Sequence, residues 1–291
     1  MKRITLVITL LLLIPTLLTA CNGSAGNPET TASPDQTTPT EQPMALRVNG
    51  EGITLTEYQA ELARLQQAQT EQGVTSTPEE QRDRVLDDLT DQLLLSQAAT
   101  QAGFVVDDAT LQARIDNLSS QMGGADKLQA WQTTYGYTDE SFRISLRRSI
   151  AAAWQQEQII NTVPTTADQV HARQILVQEE ANANLYYQQI QNGTVFADLA
   201  YTLDPTIGGD LGWFPQGYLT QPEVEEAAFA LQPGEYSSVI KSALGYHIIF
   251  VIERESDHAL SVNARSVLQQ NKLDEWLESS RVAATIEVLV Q

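Results

Sequence analysis

Two hydrophobic periods alternate along this chain, and the points where one gives way to the other divide it. From Thr54 to about Pro164 the apolar residues recur every three or four positions, the spacing that places them on one face of a helix. Thr54 stands three before Glu57, the spacing of a capping box, and Tyr58, Leu62 and Leu65 follow before Gly73. Thr77-Pro78-Glu79-Glu80 repeats the start signal with proline at the first helical position. Its stripe of Val85, Leu86, Leu89, Leu93 and Leu94 runs toward Gly103. A third helix is expected from near Asp107 to Gly123-Gly124, and a short fourth around Leu128 and Trp131. A long fifth begins after Thr138, carries Phe142, Leu146, Ile150 and Trp154 on one side, and stops before Pro164. These stripes are read as core.

After Pro164 the period shortens. VHARQILV, residues 170–177, alternates as a strand does, with one polar residue, Gln174, on the face that alternation buries. His171, an odd number of residues away, points to the other face. Helices are expected at 180–191, 196–200 and 223–231, and strands near 236–241 and 246–253. Between them runs a loop with Asp204-Pro205 and Gly208-Gly209. Residues 263–281 are helical again, and the β-branched run 285–290 is a strand in need of a partner. The free short strand outside the α+β segment is 46–48, preceding a turn at Asn49-Gly50. The expected fold class is therefore α+β, a helical domain closed by the N- and C-terminal segments with a smaller mixed unit inserted.

The first residues change the picture of where the protein works. MKRITLVITLLLLIPTLLTAC has two positive charges, an apolar run too short to be a comfortable membrane span, and small residues before Cys21. That is a secretory signal. Leu18-Thr19-Ala20-Cys21 resembles the bacterial lipobox, which implies diacylation of Cys21 and a lipid anchor on the extracytoplasmic face of the cell membrane. Cys21 is the single cysteine, so an intramolecular disulfide is excluded. NGSAGNPETTASPDQTTPTEQP, residues 22–43, has no large apolar side chain and reads as a disordered tether with a reach of roughly 26 Å. Without Lys2 and Arg3 the chain holds 15 basic against 37 acidic residues, a net charge of −22 that argues against nucleic acid as a partner. The three histidines lack metal-ligand spacing, and no metal or cofactor is expected.

Four collinear blocks carry a specific resemblance: VHARQILV, GGDLGWF (208–214), EEAAFALQPGE (225–235) and GYHIIFVIE (245–253). Together they resemble the parvulin family of peptidyl-prolyl isomerases. The flanks, with VNGEGITLTEYQ and the helices after it, are similar to the chaperone domain of PrsA-type foldase lipoproteins and SurA-type chaperones. The layout this implies is a lipoprotein signal (1–21), a tether (22–43) and a helical chaperone domain (44–165). A parvulin-like domain (166–256) and a C-terminal helix and strand returning to the chaperone domain (257–291) complete it.

The chemistry implied is rotation about an X–Pro amide, opposed by a barrier of about 18–20 kcal/mol from resonance. No bond is cleaved, so an apolar socket for the proline ring and a few polar groups at the twisting amide suffice. By resemblance the socket falls on Leu211, Phe214, Leu219, Val224 and Phe229. The polar site falls on His247, Gln174 and Asp204. Parvulins usually pair two histidines, and Gln174 stands where the second belongs; it can donate and accept but cannot titrate near neutral pH. The resemblance thus implies a prolyl isomerase of reduced rate acting on unfolded or partly folded exported proteins. The alternative is a holdase that keeps the domain only for peptide binding.

Overall fold

The computed structural model describes residues 42–290, so the signal, Cys21 and most of the tether lie outside the described residues. Two compact units divide the chain: residues up to Gln155 together with Arg281 onward, and Gln156–Ser280.

The first unit holds the strands β1 (Met44–Val48) and β2 (Glu51–Thr54) and the helices α1 (Leu55–Gln72), α2 (Pro78–Gln101), α3 (Asp108–Met122) and α4 (Ala125–Thr134). Most of α5 (Asp139–Ile160) completes its helices. The caps lie where the sequence places them. Thr54 Oγ1 accepts from the Glu57 amide, and Thr77 and Glu80 exchange both bonds of a capping box. Gly73 and Gly123 close α1 and α3 in the left-handed conformation. The stripes are core: Leu93 and Leu111 are fully buried, and Leu118, Leu128 and Phe142 form a cluster with Trp131 and Leu146 against it. A buried ion pair crosses the unit from α1 to α5, with Arg148 Nη1 2.7 Å from Glu57 Oε1.

The last strand, β7 (Ile286–Val288), pairs antiparallel with β1, Leu46 opposite Val288 and Val48 opposite Ile286. The expected closure by the two ends of the chain is therefore present, with β2 on the other side of β1. β7 is an edge strand whose side chains are exposed, so it is held by backbone hydrogen bonds and by Arg281, which reaches Asp91 and Asp87 on α2.

The second unit is a four-stranded antiparallel sheet in the order β4-β3-β6-β5: β3 (Thr166–Val177), β4 (Asp210–Pro215), β5 (Ile240–Ser242) and β6 (Gly245–Ala259). Helices α6 (Glu180–Gln191) and α7 (Phe196–Leu203) cover one face, and α8 (Pro222–Ala230) the other. Two cores result. Ile175, Ile248, Phe196 and Leu199 pack on the α6–α7 side, and Val170, Ala172, Phe214, Val224, Ala228, Ile249 and Val251 on the α8 side. The alternation along β3 and β6 assigns the faces, as the two-residue period requires.

Three elements differ from expectation. Residues 210–215, assigned to no element from the sequence, are the strand β4; β3 supplies the partner, with a bulge at Leu211 opposite the Ala172–Arg173 step. The strand expected at 236–241 shortens to 240–242, because at Ile249 the Ser237 hydroxyl takes the amide that a strand carbonyl would accept. The helix α9 (Val262–Ala283) lies with the second unit up to Ser280, where Asn271 Nδ2 donates to Gly217 O at 2.7 Å and Gln269 to Ile160 O. Only the chain from Arg281 on joins the first unit.

Candidate functional site: a histidine relay on the sheet face under α8

Gln174 on β3 and His247 on β6 are diagonal neighbours: Gln174 lies opposite Ile249, two residues along β6 from His247. Both therefore stand on the α8 face of the sheet, within reach of one another. His247 Nδ1 is 2.9 Å from Gln174 Oε1, and its Nε2 is 2.6 Å from Ser242 Oγ on β5. The partners set the protons. Gln174 Oε1 can only accept, so Nδ1–H donates to it; Nε2 then accepts from the Ser242 hydroxyl, whose oxygen accepts the Leu244 amide. The imidazole is a neutral link with both nitrogens engaged. Burial holds its pKa below the usual histidine value, against an opposing pull from Glu223, and only 2% of the residue is exposed. The Gln174 NH2 has no protein partner among the described residues and remains a free donor on this face.

Two glycines make the approach possible. A Cβ at Gly245 would stand 2.5 Å from Val177 O, and one at Gly209 only 1.9 Å from Gln174 O. Gly209 O in turn accepts the Gln174 amide at 2.8 Å. Asp204 ends α7, and its carboxylate accepts from the amides of Gly209, Thr206 and Ile207. These bonds, Gly209's first, lower its pKa, so it is an anion. It meets Gln174 through Gly209, not directly. The three polar residues read from the sequence thus split into a bonded pair, Gln174 and His247, and a loop-shaping anion.

The five apolar residues also separate into two groups. Phe214 and Val224 are buried at 0% and 3% exposure and belong to the core. Leu211, Leu219 and Phe229 are half-buried and pack on that core, with Phe229 edge-on to Phe214 at 6.1 Å. The three half-buried side chains that a peptide would meet thus have a firm floor beneath them. Ser242 was missed by sequence reasoning. The available signal was a two-residue hairpin turn, Ala243-Leu244, which pairs Ser242 with Gly245 and so sets it diagonal to His247, two residues along β6. His171 is on the opposite face, bonded to Asp210 at 2.9 Å and beside Trp213, and Arg173 lies over Tyr201 on that side too.

The fold and the site define a class. Residues 158–255 match the PPIC-type PPIASE domain, the parvulin type of peptidyl-prolyl isomerase, and residues 2–142 match the SurA-like N-terminal domain. A foldase protein PrsA from Geobacillus kaustophilus is 30% identical over 68% of this chain and 73% of its own length. Another, from Caldanaerobacter subterraneus subsp. tengcongensis, is 31% identical over 69% of this chain and 71% of its own. The chain belongs to the PrsA foldase family. It is also 39% identical to the chaperone SurA of Nitrosospira multiformis, over 44% of this chain and only 33% of that protein's length.

Proposed function

We propose that this chain is a lipid-anchored, extracytoplasmic peptidyl-prolyl isomerase and chaperone for exported proteins, slowed but not silenced by Gln174. The observation that carries the reading is the unbroken Gln174–His247–Ser242 relay on the same sheet face as Leu211, Leu219 and Phe229. A proline ring seated on those three side chains brings its amide next to polar groups whose orientation is already paid for. Twisting that amide moves charge off its oxygen and onto its nitrogen without moving a proton. Fixed donors and acceptors in place of water therefore suffice. Gln174 fills the orienting half of a histidine's role by accepting from His247 and keeps a free NH2 for the peptide. His247 and Gln174 form the polar wall, the ionised Asp204 shapes the loop at Gly209 that backs Gln174, and Phe214 and Val224 back the socket.

The test is exchange spectroscopy on an Ala-Pro peptide with the mature chain from Asn22. Wild type accelerates exchange measurably, Gln174→His raises the rate several-fold, and Leu219→Ala lowers it. Glutamine in place of the family histidine favours one other reading, a holdase. Silence of wild type together with clear activity of Gln174→His would establish it. Silence of all three would sink the isomerase reading.

No helix among the described residues is long and apolar enough to cross a membrane. Anchoring rests on Leu18-Thr19-Ala20-Cys21. Cys21→Ser cannot be acylated and should leave the membrane fraction once its signal is cleaved; retention there with no uncleaved precursor present would refute the anchor.

A further inference from the structure

Leu211 stands on a strand and Phe229 on a helix, but Leu219 lies on the irregular segment between β4 and α8. Something must hold it, because a short exposed loop has no ladder of its own. Glu225, in the first turn of α8, is aimed back at this segment. Its Oε1 accepts the Gly217 amide at 2.6 Å, and its Oε2 accepts the Tyr218 and Leu219 amides at 2.9 Å each. Three consecutive backbone N–H groups thus converge on one carboxylate. The carbonyl of Gly217 is taken from the other side by Asn271 on α9, at 2.7 Å. Gly217 itself has φ +84°, and a Cβ there would crowd Leu268 of α9 at 3.3 Å.

We propose that Glu225 is a positioning residue, whose carboxylate fixes the height of Leu219 and so the width of the proline socket. The proposal rests on the isomerase reading for the use of the socket, though the clamp itself is a matter of geometry. A carboxylate is required because it offers two acceptor oxygens and no donor; glutamine offers one oxygen and turns an NH2 toward amides that also donate. Charge-assisted bonds of this kind are roughly twice as strong as neutral ones. Loosening them frees Leu219 without disturbing the sheet that carries Gln174 and His247.

The experiment measures exchange on two peptides, one with proline and one with its six-membered homologue pipecolic acid, using wild type, Glu225→Gln, Leu219→Ala and the double variant. Glu225→Gln is expected to slow proline exchange about tenfold, the equivalent of about 1.4 kcal/mol in the barrier. It should also shrink the preference for proline over pipecolic acid, because a loosened socket admits the larger ring. In the double variant Glu225→Gln should add little to Leu219→Ala, since the first acts through the second. Asn271→Ala, which leaves α8 untouched, should shift the ring preference in the same direction. A general loss of fold would slow both peptides alike. Equal slowing of both, multiplicative losses in the double variant, or wild-type behaviour of Glu225→Gln would each overturn the proposal. If wild type fails to accelerate exchange at all, the isomerase reading falls. The same variants, read as affinity for the two peptides by amide-shift titration, then decide the role of Glu225 by the same criteria.

Discussion

Replacing Glu57 by alanine strikes an ion pair of the helical unit that is buried on both sides. Arg148 and Glu57 have side chains only 6% and 10% exposed, and their contact of 2.7 Å ties α1 to α5. Removing one member of such a pair strands a charge and costs about 3–5 kcal/mol. Glu51 is the nearest remaining anion, its Oε1 3.7 Å from Arg148 Nε but 46% exposed. An exposed partner of that kind recovers about 0.2–1 kcal/mol. Loss of the carboxylate from the first turn of α1 costs a further ~0.3–1 kcal/mol. The last two contributions nearly cancel, so the net expectation is a loss of about 3–5 kcal/mol. Urea unfolding measures it, with Trp213 and Trp276 changed to phenylalanine so that fluorescence comes from Trp131 and Trp154 of this unit. Trp154, stacked on Phe104 at 4.6 Å, is a local reporter of α5 packing. With a slope of about 2 kcal/mol per molar urea, the midpoint falls by roughly 1.5–2.5 M. Glu57→Leu with Arg148→Met, which removes both charges, should regain most of the loss. A midpoint unchanged in Glu57→Ala, or a double variant as unstable as the single one, would refute this account of the pair.

Gly209→Ala should unfold or rearrange the site. Its Cβ has no room beside Gln174 O and its φ is +66°, and circular dichroism with the exchange assay reports both effects. Because burial lowers the His247 pKa, the unfolded chain takes up the proton first. The contribution of this group to stability is complete above about pH 6.5 and is lost as pH falls through the folded pKa. Melting temperature should decline in that window, and exchange activity should be flat from neutral pH upward; an activity rising with protonation near pH 6 would contradict a neutral imidazole. Removing residues 285–291 takes away an edge strand with exposed side chains. Hydrogen bonds of about 1 kcal/mol each are largely offset by ordering entropy, so thermal melting should report only about 1–2 kcal/mol of loss.

The helical unit was legible because its signals are local. Thr77-Pro78 with Glu80, and Gly73 and Gly123 at the stops, are decided within a turn of chain, and each helix begins and ends within a residue or two of them. The pairing of Gln174 with His247 followed from alternation along two strands plus the family blocks. What stayed hidden depends on contacts distant in sequence. β4 holds Gly212 at its centre and carries no strand signal of its own until β3 offers it a bulged edge. Ser242 and Glu225 carry no periodic signature, and their roles come from a hairpin turn and from a loop folding back on its own helix. Asp204 was found for its position, but its bonds to Thr206, Ile207 and Gly209 depend on loop geometry that spacing alone does not give.

The central claim is that the Gln174–His247–Ser242 relay supports amide rotation without a titrating pair. Its most direct test is the exchange rate of one Ala-Pro peptide with wild type and with His247→Leu, at equal concentration and neutral pH. Acceleration by wild type that is lost in His247→Leu, while both proteins melt cooperatively and bind the peptide, is the predicted result. Acceleration that survives in His247→Leu, or its absence from wild type, would contradict the claim.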